Sequence, residues 1–150
     1  MRHPETKLAV LICGSLDIGR KITAAETLQN ITQICAVFNE ADIPVCVFQI
    51  PTLGLINSLD LTKSERITEL DALNASIRQF VNEPNSINIQ GPDLSSFEYK
   101  GAFLYNPVDG VDSGFFNRRG YLKLGKDVGE LMLNPIVKIE FKLFKKMLDW

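Results

Sequence analysis

The chain has 150 residues, of which 45% are hydrophobic, 9% aromatic and 23% charged, a composition typical of one globular domain rather than a disordered tail. Its net charge is −2, and the net positive charge of residues 118–150 is too small to indicate a nucleic-acid-binding protein. No apolar run reaches the roughly 18 residues that span a bilayer, and the polar start does not resemble a signal peptide. We therefore expect a cytoplasmic protein with no transmembrane segment and no nucleic-acid partner.

The cysteines and the histidine limit the possible chemistry. Cys13, Cys35 and Cys46 are odd in number and lack C-x-x-C spacing, which argues against a disulfide framework and against a zinc cluster. The single histidine is His3, in the polar leader. A mechanism that needs an internal imidazole base, or a metal site built from histidines, is therefore not expected. We predict neither a cofactor nor a metal.

The first third of the chain predicts a strand, a helix and a second strand. Residues 7–13 form a continuous apolar run that ends at Gly14, which is typical of a strand buried in a parallel sheet. Thr23 can cap a helix whose apolar residues recur at three- and four-residue spacing, up to about residue 42. Residues 43–50 are a second run rich in β-branched residues, and Pro51 ends it. Together they predict a right-handed βαβ unit with parallel strands.

The rest of the chain predicts a second α/β portion and a C-terminal helix. In chain order we expect a helix over 64–81, a strand over 87–89, a weaker extended segment over 102–105 and a helix over 120–133. Pro135 then allows a fresh helix over 136–150, because proline is tolerated in a first turn. We assign residues 1–133 to one α/β domain and residues 134–150 to an amphipathic extension.

The segments that follow predicted strands are the candidate sites, because ligands of open α/β sheets bind beyond the carboxyl ends of strands. The first strand runs into Gly14-Ser-Leu-Asp17, and the segment before the helix at 120 reads Asp112-Ser-Gly-Phe-Phe-Asn-Arg-Arg-Gly-Tyr121. In this order the two segments resemble the SGNH (GDSL-type) hydrolases, a family of flavodoxin-like α/β esterases. That family has a strand running into Gly-x-Asn-Asp and the closing signature Asp-x-x-His-x-Asn-x-x-Gly-Tyr. The elements between the segments also follow the family's order, including a helix stretch around Asn74.

The resemblance implies a flavodoxin-like or SGNH-like three-layer α/β/α fold with a short, mainly parallel sheet. It also implies that the catalytic positions are lost, since Leu16 stands where the family has an oxyanion-binding Asn and Phe115 where it has the catalytic His. The family's nucleophilic Ser comes from a segment upstream of this chain's first strand. Gly14, Asp17 and Asp112 match positions that mainly shape turns. The resemblance therefore predicts a catalytically inactive domain that acts as a structural or protein-interaction subunit.

An alternative alignment makes the chain a small ester hydrolase. The segment Ser15-Leu-Asp-Ile-Gly19 resembles the family's Gly-Asp-Ser-Leu turn, which would make Ser15 the nucleophile. A partner chain that supplies Ser and His would also complete an active site. Against Ser15, a serine without a base is a poor nucleophile, and a serine after a glycine at a strand end is commonly a turn or cap residue.

Of two further functions, one stays open. Cys13 gives a weaker resemblance to isochorismatase-like hydrolases, which use Asp, Lys and Cys, but their first-strand Asp falls at Cys13 and no cysteine follows Cys46, so that triad cannot be assembled here. Cys13 is then better interpreted as a small buried hydrophobic residue. A small-ligand sensor would use a pocket around Gly14, Asp17 and Asp112. A cap of the turn before the last helix explains Asp112 equally well.

Two surfaces are candidates for binding a protein. If the first two strands of a flavodoxin-like sheet are missing, residues 7–13 become an edge strand that carries Leu8, Val10 and Ile12. An apolar edge of this kind is normally covered. We predict that a second copy, another protein, or the C-terminal segment pairing as a strand covers it.

The second surface is the segment 136–150. Its apolar residues occupy more than half of a helical wheel, and four lysines lie on the other side. Such a face can pack on the domain's own core, which is the simplest expectation, or dock in a partner's groove, or lie in a membrane interface. We predict a protein partner or a homo-oligomer, and no small-molecule ligand is specified. The partner-binding candidates are Phe141, Leu143, Phe144, Met147 and Trp150.

Overall fold

A computed structural model describes residues 6–51, 63–94, 105–108 and 111–148. The elements in chain order are β1 (Ala9–Leu11), α1 (Ser15–Gly19), α2 (Ala24–Asn39), β2 (Val45–Val47), α3 (Lys63–Val81), β3 (Ile89–Gln90), β4 (Tyr105–Val108), β5 (Val111–Phe116) and α4 (Arg118–Leu148). The fold is mixed α/β, which confirms the predicted class. His3 and Trp150 lie outside the described residues.

Three short parallel strands form the central sheet in the order β1-β2-β3. The Ala9 N–H donates to the Pro44 carbonyl, and the Phe48 N–H donates to the Leu11 carbonyl, each at 3.0 Å. Because backbone groups alternate sides along a strand, those of Val10 point away from β2. Among the described strands β1 is thus an edge, as predicted from the sequence.

The two faces of the sheet carry separate apolar clusters. Successive residues of β2 face opposite sides, so Val45 and Val47 lie in one cluster and Cys46 and Phe48 in the other. The first cluster is completed mainly by buried residues of α2 and α3, namely Ile31, Cys35, Leu70, Leu73, Ile77 and Val81. The second contains Leu94, Phe116 and Met132. Helices α2 and α3 therefore cover one face, and the first half of α4 covers the other.

Helix α2 begins where the sequence predicts. The Thr23 hydroxyl accepts a hydrogen bond from the Glu26 N–H at 3.2 Å, which satisfies one of the free donors of the first turn. A carboxylate oxygen of Glu69, on α3, accepts from the Ala24 N–H at 2.8 Å. Two side chains from different elements therefore fix the start of α2.

Helix α4 differs from several predictions about the C-terminal part of the chain. It is one helix of 31 residues with Pro135 inside it, not two helices. Pro135 removes only the hydrogen bond to Leu131, an exposed residue. The segment 136–148 is therefore not a strand and does not pair with β1. Nor does it pack on the domain's own core, since most of its apolar side chains are exposed. The predicted domain boundary at residue 133 falls inside this helix.

Strands β4 and β5 pair antiparallel just before α4, with Val108 opposite Val111 and Tyr105 opposite Phe116. Of the extended segment predicted over 102–105, only Tyr105 lies within the described residues. Asp112 lies in β5. The residue that caps α4 is Asn117, because its side-chain oxygen accepts from the N–H groups of the second and third residues of α4 at 2.9 and 3.0 Å.

Candidate functional site

The carboxyl end of β1 turns sharply at Gly14. Its φ is +107°, and its carbonyl accepts from the Ile18 N–H at 3.2 Å to start α1. A Cβ on Gly14 would lie 2.7 Å from Ile50 Cδ1 and 3.2 Å from Thr27 Cγ2. Both the backbone conformation and the close packing therefore require glycine here. This requirement explains Gly14 without any catalytic role.

Asn74 connects α3 to the chain beyond β2. Its side-chain amide is buried and makes two hydrogen bonds to the backbone of Ile50. Ile50 and Leu73 both contact the Gly14 position, so the ends of β1 and β2 and the middle of α3 meet at one place. The family resemblance included the helix stretch around Asn74. In the structure this side chain holds α3 to the backbone at Ile50, which is a structural function.

The candidate nucleophile Ser15 lies at the start of α1 and is exposed. Within the described ranges, its hydroxyl makes no hydrogen bond to a base or to any other group. Leu16 is also exposed and its side chain offers no donor to an oxyanion, while Asp17 is half-buried in the same short helix. This geometry contains no group that would activate Ser15.

The cysteine thiols are not activated. Burial raises the pKa of Cys13, and the negative charge of Asp17 raises it further. Burial also raises the pKa of Cys35 to about 11 and that of Cys46 to about 12. Since the thiolate is the reactive species, all three cysteines are poor nucleophiles at neutral pH. Cys13 therefore fits the description of a packed apolar residue better than that of a catalytic thiol.

The second segment of the resemblance lies outside the central sheet, in the separate two-stranded pair of β4 and β5. Asp112 and Phe115 are backbone positions of β5. The next residue, Phe116, packs in the cluster that contains Phe48, on the face opposite the cluster that contains Ile50. The Gly14 segment and the β5 segment are thus attached to opposite faces of the sheet.

Two buried polar side chains near the ends of β1 and β2 were not singled out in the sequence. Gln49 accepts from an Arg78 guanidinium nitrogen at 3.2 Å, but its own side-chain NH₂ has no partner in the described part of the chain. The Thr27 hydroxyl is likewise buried and unpartnered there. The only signal for Gln49 in the sequence is that it is polar within the apolar run 43–50.

The β1 edge presents part of the predicted binding surface. Val10 is 50% exposed and Ile12 is 61% exposed, so both side chains are available to a partner. Leu8 is only partly exposed and packs against the cluster of Cys46 and Phe48. The edge surface on this chain therefore consists of Val10 and Ile12, together with the outward backbone groups of Val10.

The second half of α4 exposes a larger apolar surface. Its exposed large apolar residues are Ile136, Val137, Phe141, Leu143, Phe144, Met147 and Leu148. In the first half of the helix, Leu124, Val128 and Met132 form the stripe that packs on the sheet. Beyond Met132, the residues on the same side of the helix are Pro135, Ile139, Lys142 and Lys146, at intervals of three and four residues. The apolar face beyond Pro135 is therefore turned away from the domain's own core, which explains why it is not buried.

Other kinds of site are not indicated. The described residues contain no group of three or more histidine, cysteine, aspartate or glutamate side chains that would hold a metal ion. Across the same ranges, no helix combines the length and apolar character needed to cross a bilayer. Comparison of the chain with protein families, curated proteins and solved structures gave no match.

Proposed function

We propose that this chain is a catalytically inactive, SGNH-hydrolase-like α/β domain that works as a protein-interaction subunit, with the second half of α4 as its docking element. The observation that carries the proposal is the exposed apolar face of residues 136–148 on a helix anchored to the domain by its first half. Contiguous exposed apolar surface of this kind marks interaction sites in soluble proteins.

The arrangement at the carboxyl end of the sheet supports the absence of catalysis. Ser15 has no activating group among the described residues, Leu16 stands where the resemblance expects an oxyanion-binding Asn, and Cys13 has a raised pKa. Gly14 and Asn74 are explained by turn geometry and by strand anchoring. What remains of the site serves to hold β1, β2 and α3 together.

Site-specific photo-crosslinking in cells tests the docking function. A photoreactive residue in place of Phe141 reports on the apolar face, and one in place of Lys142 is the matched control on the opposite side of the helix. We expect a defined crosslinked adduct from position 141 and none from position 142. Equal labelling at both positions, or none at either, would contradict the proposal.

Ester hydrolysis by the purified chain tests the loss of catalysis. We expect the wild type to hydrolyse a model ester at no more than its uncatalysed rate, and Ser15→Ala and Asp112→Ala to leave that rate unchanged. Phe144→Asp, on the exposed apolar face of α4, is expected to abolish assembly without unfolding the domain. Hydrolysis above background that disappears with Ser15→Ala would instead support the hydrolase alternative.

A further inference from the structure

We infer that the partner of this helix is a second copy of the same chain, paired in parallel along residues 137–148. This inference rests on the proposed docking function and names its occupant. Three features of α4 support it: the spacing of four of its exposed apolar residues, the charges beside them, and the side of the helix on which they lie.

The spacing is that of a helix-pairing seam. Val137, Phe141, Phe144 and Leu148 follow one another at intervals of four, three and four residues, and they are between 54% and 67% exposed. These intervals place them at alternating d and a positions of a heptad, the positions that interlock between two helices. The seam spans about 16 Å at 1.5 Å per residue.

The charges beside the seam favour the same chain in parallel orientation. In this register Glu140 occupies a g position, and Lys138 and Lys145 occupy e positions. In a parallel pair, the g residue of one helix lies beside the following e residue of the other, so Glu140 of each copy meets Lys145 of its partner. In an antiparallel pair, g faces g and e faces e, which would bring like charges together.

The first half of α4 leaves room for this partner. The stripe of Leu124, Val128 and Met132 faces the sheet. On a helical wheel the seam lies on nearly the opposite side, so the packing of α4 on the described part of the domain does not cover it. The Lys145 ammonium lies 5.9 Å from the centre of the Phe141 ring, at the border of the seam.

Glu140 also argues against a membrane as the occupant. On the wheel it lies between Phe144 and Met147, within the apolar arc. A carboxylate there would have to enter the apolar part of a bilayer surface, where burying a charge is costly. In the parallel pair the same carboxylate lies at the border of the seam, next to a lysine.

A charge-exchange experiment tests the inference. The mass of the full chain is measured by sedimentation at concentrations from about 10 μM to 1 mM, because a short seam gives a weak dimer. Glu140→Lys and Lys145→Glu each place like charges opposite each other in two symmetric pairs, so we expect dimerisation to weaken about fivefold or more. Mixing the two variants, or combining both changes in one chain, restores opposite charges and should restore the dimer.

Lys142→Glu is the control, because it makes the same change of charge as Lys145→Glu but lies away from the seam. We expect it to leave the dimer unchanged, with circular dichroism confirming that every variant is folded. A wild type that stays monomeric at 1 mM would overturn the inference, as would failure of the double variant to recover. Binding of the monomer to phosphatidylserine vesicles, lost with Phe144→Asp, would overturn it in favour of a membrane.

Different results would overturn the docking function and the pairing with a second copy. A crosslinked adduct of Phe141 with a different protein, together with a monomeric purified chain, would overturn the inference and leave the docking function standing. Absence of any adduct together with a monomer would overturn both. An adduct of twice the chain mass together with recovery by the double variant supports both.

Discussion

The side-chain amide of Asn74 pairs with the backbone of Ile50 through both of its polar atoms. Asn74 Oδ1 accepts from the Ile50 N–H at 2.8 Å, and Asn74 Nδ2 donates to the Ile50 carbonyl at 2.9 Å. Both residues are buried. The amide thus does what a neighbouring strand would do, and it satisfies the backbone where β2 has ended.

Replacement of Asn74 by alanine should therefore be costly. It leaves a buried N–H and a buried carbonyl without partners, and we expect the free energy of unfolding to fall by about 2–4 kcal/mol. Asn82→Ala is the control, because this exposed residue of the same region also makes two hydrogen bonds, at 2.8 and 3.0 Å. Urea denaturation of both variants measures the difference, and equal losses would contradict the role given to Asn74.

Gly14 and Gly125 should respond in opposite directions to alanine. At Gly14 the positive φ and the nearby Ile50 Cδ1 oppose a Cβ, and we expect a loss of about 2–4 kcal/mol in unfolding free energy. At Gly125, in the exposed middle of the first half of α4, a Cβ would meet no atom within 4 Å. There alanine should stabilise by about 0.5–1 kcal/mol. Thermal denaturation of the two variants gives the signs directly.

The cap of α4 predicts a smaller effect. Asn117→Ala removes the acceptor for two N–H groups of the first turn, and we expect the protein to lose about 1 kcal/mol of unfolding free energy. Asn117→Asp keeps an acceptor and adds a negative charge at the positive end of the helix, so it should retain most of the stability. If both variants lose stability equally in chemical denaturation, the capping role is wrong.

The buried thiols predict a loss of stability at alkaline pH. Their pKa values in the folded protein, about 11 for Cys35 and about 12 for Cys46, lie above the value of about 8.5 expected in the unfolded chain. The folded state therefore holds its thiol protons more tightly, and this stabilisation is complete below pH 8.5 and lost as pH rises towards 11–12. Each thiol contributes a slope of up to about 1.4 kcal/mol per pH unit in that window.

Comparison of the wild type with Cys46→Ala isolates this effect from other titrating groups. The variant starts from a lower unfolding free energy because it loses packing, but its decline between pH 9 and 11 should be shallower. Urea denaturation at several pH values gives both slopes. Equal slopes for the two proteins would show that the pKa of Cys46 does not differ between the folded and unfolded states.

Local signals made most of the elements predictable. Thr23 carries its own capping chemistry, and the apolar periodicity of α2 and α3 marks a buried helix face regardless of distant contacts. The βαβ order follows from the apolar runs around residues 10 and 46. Both strands are shorter than those runs, and at the end of the second run the backbone of Ile50 pairs with Asn74 instead of a neighbouring strand.

Other features depend on information that those signals do not contain. Pro135 inside an otherwise helical pattern does not determine whether the helix restarts or continues. The outcome depends on whether the other interactions of α4 offset the cost of one lost hydrogen bond. The β4–β5 pairing could have been predicted from Asp109-Gly110 between Val108 and Val111, since Asp-Gly between apolar residues favours a hairpin. We instead interpreted this segment through the family resemblance. The pairing of Asn74 with Ile50 required knowledge of which elements lie side by side.

The carboxylate of Glu69 at the start of α2 has an electrostatic consequence. The first turn of a helix carries partial positive charge, and in many α/β proteins that charge attracts a ligand's anionic group. Here Glu69 Oε2 already accepts from the Ala24 N–H at 2.8 Å, so the protein supplies its own counterion. An incoming phosphate or carboxylate would have to displace a charge that also holds α3 against α2. The positive end of this helix is thereby committed to joining two helices of the domain.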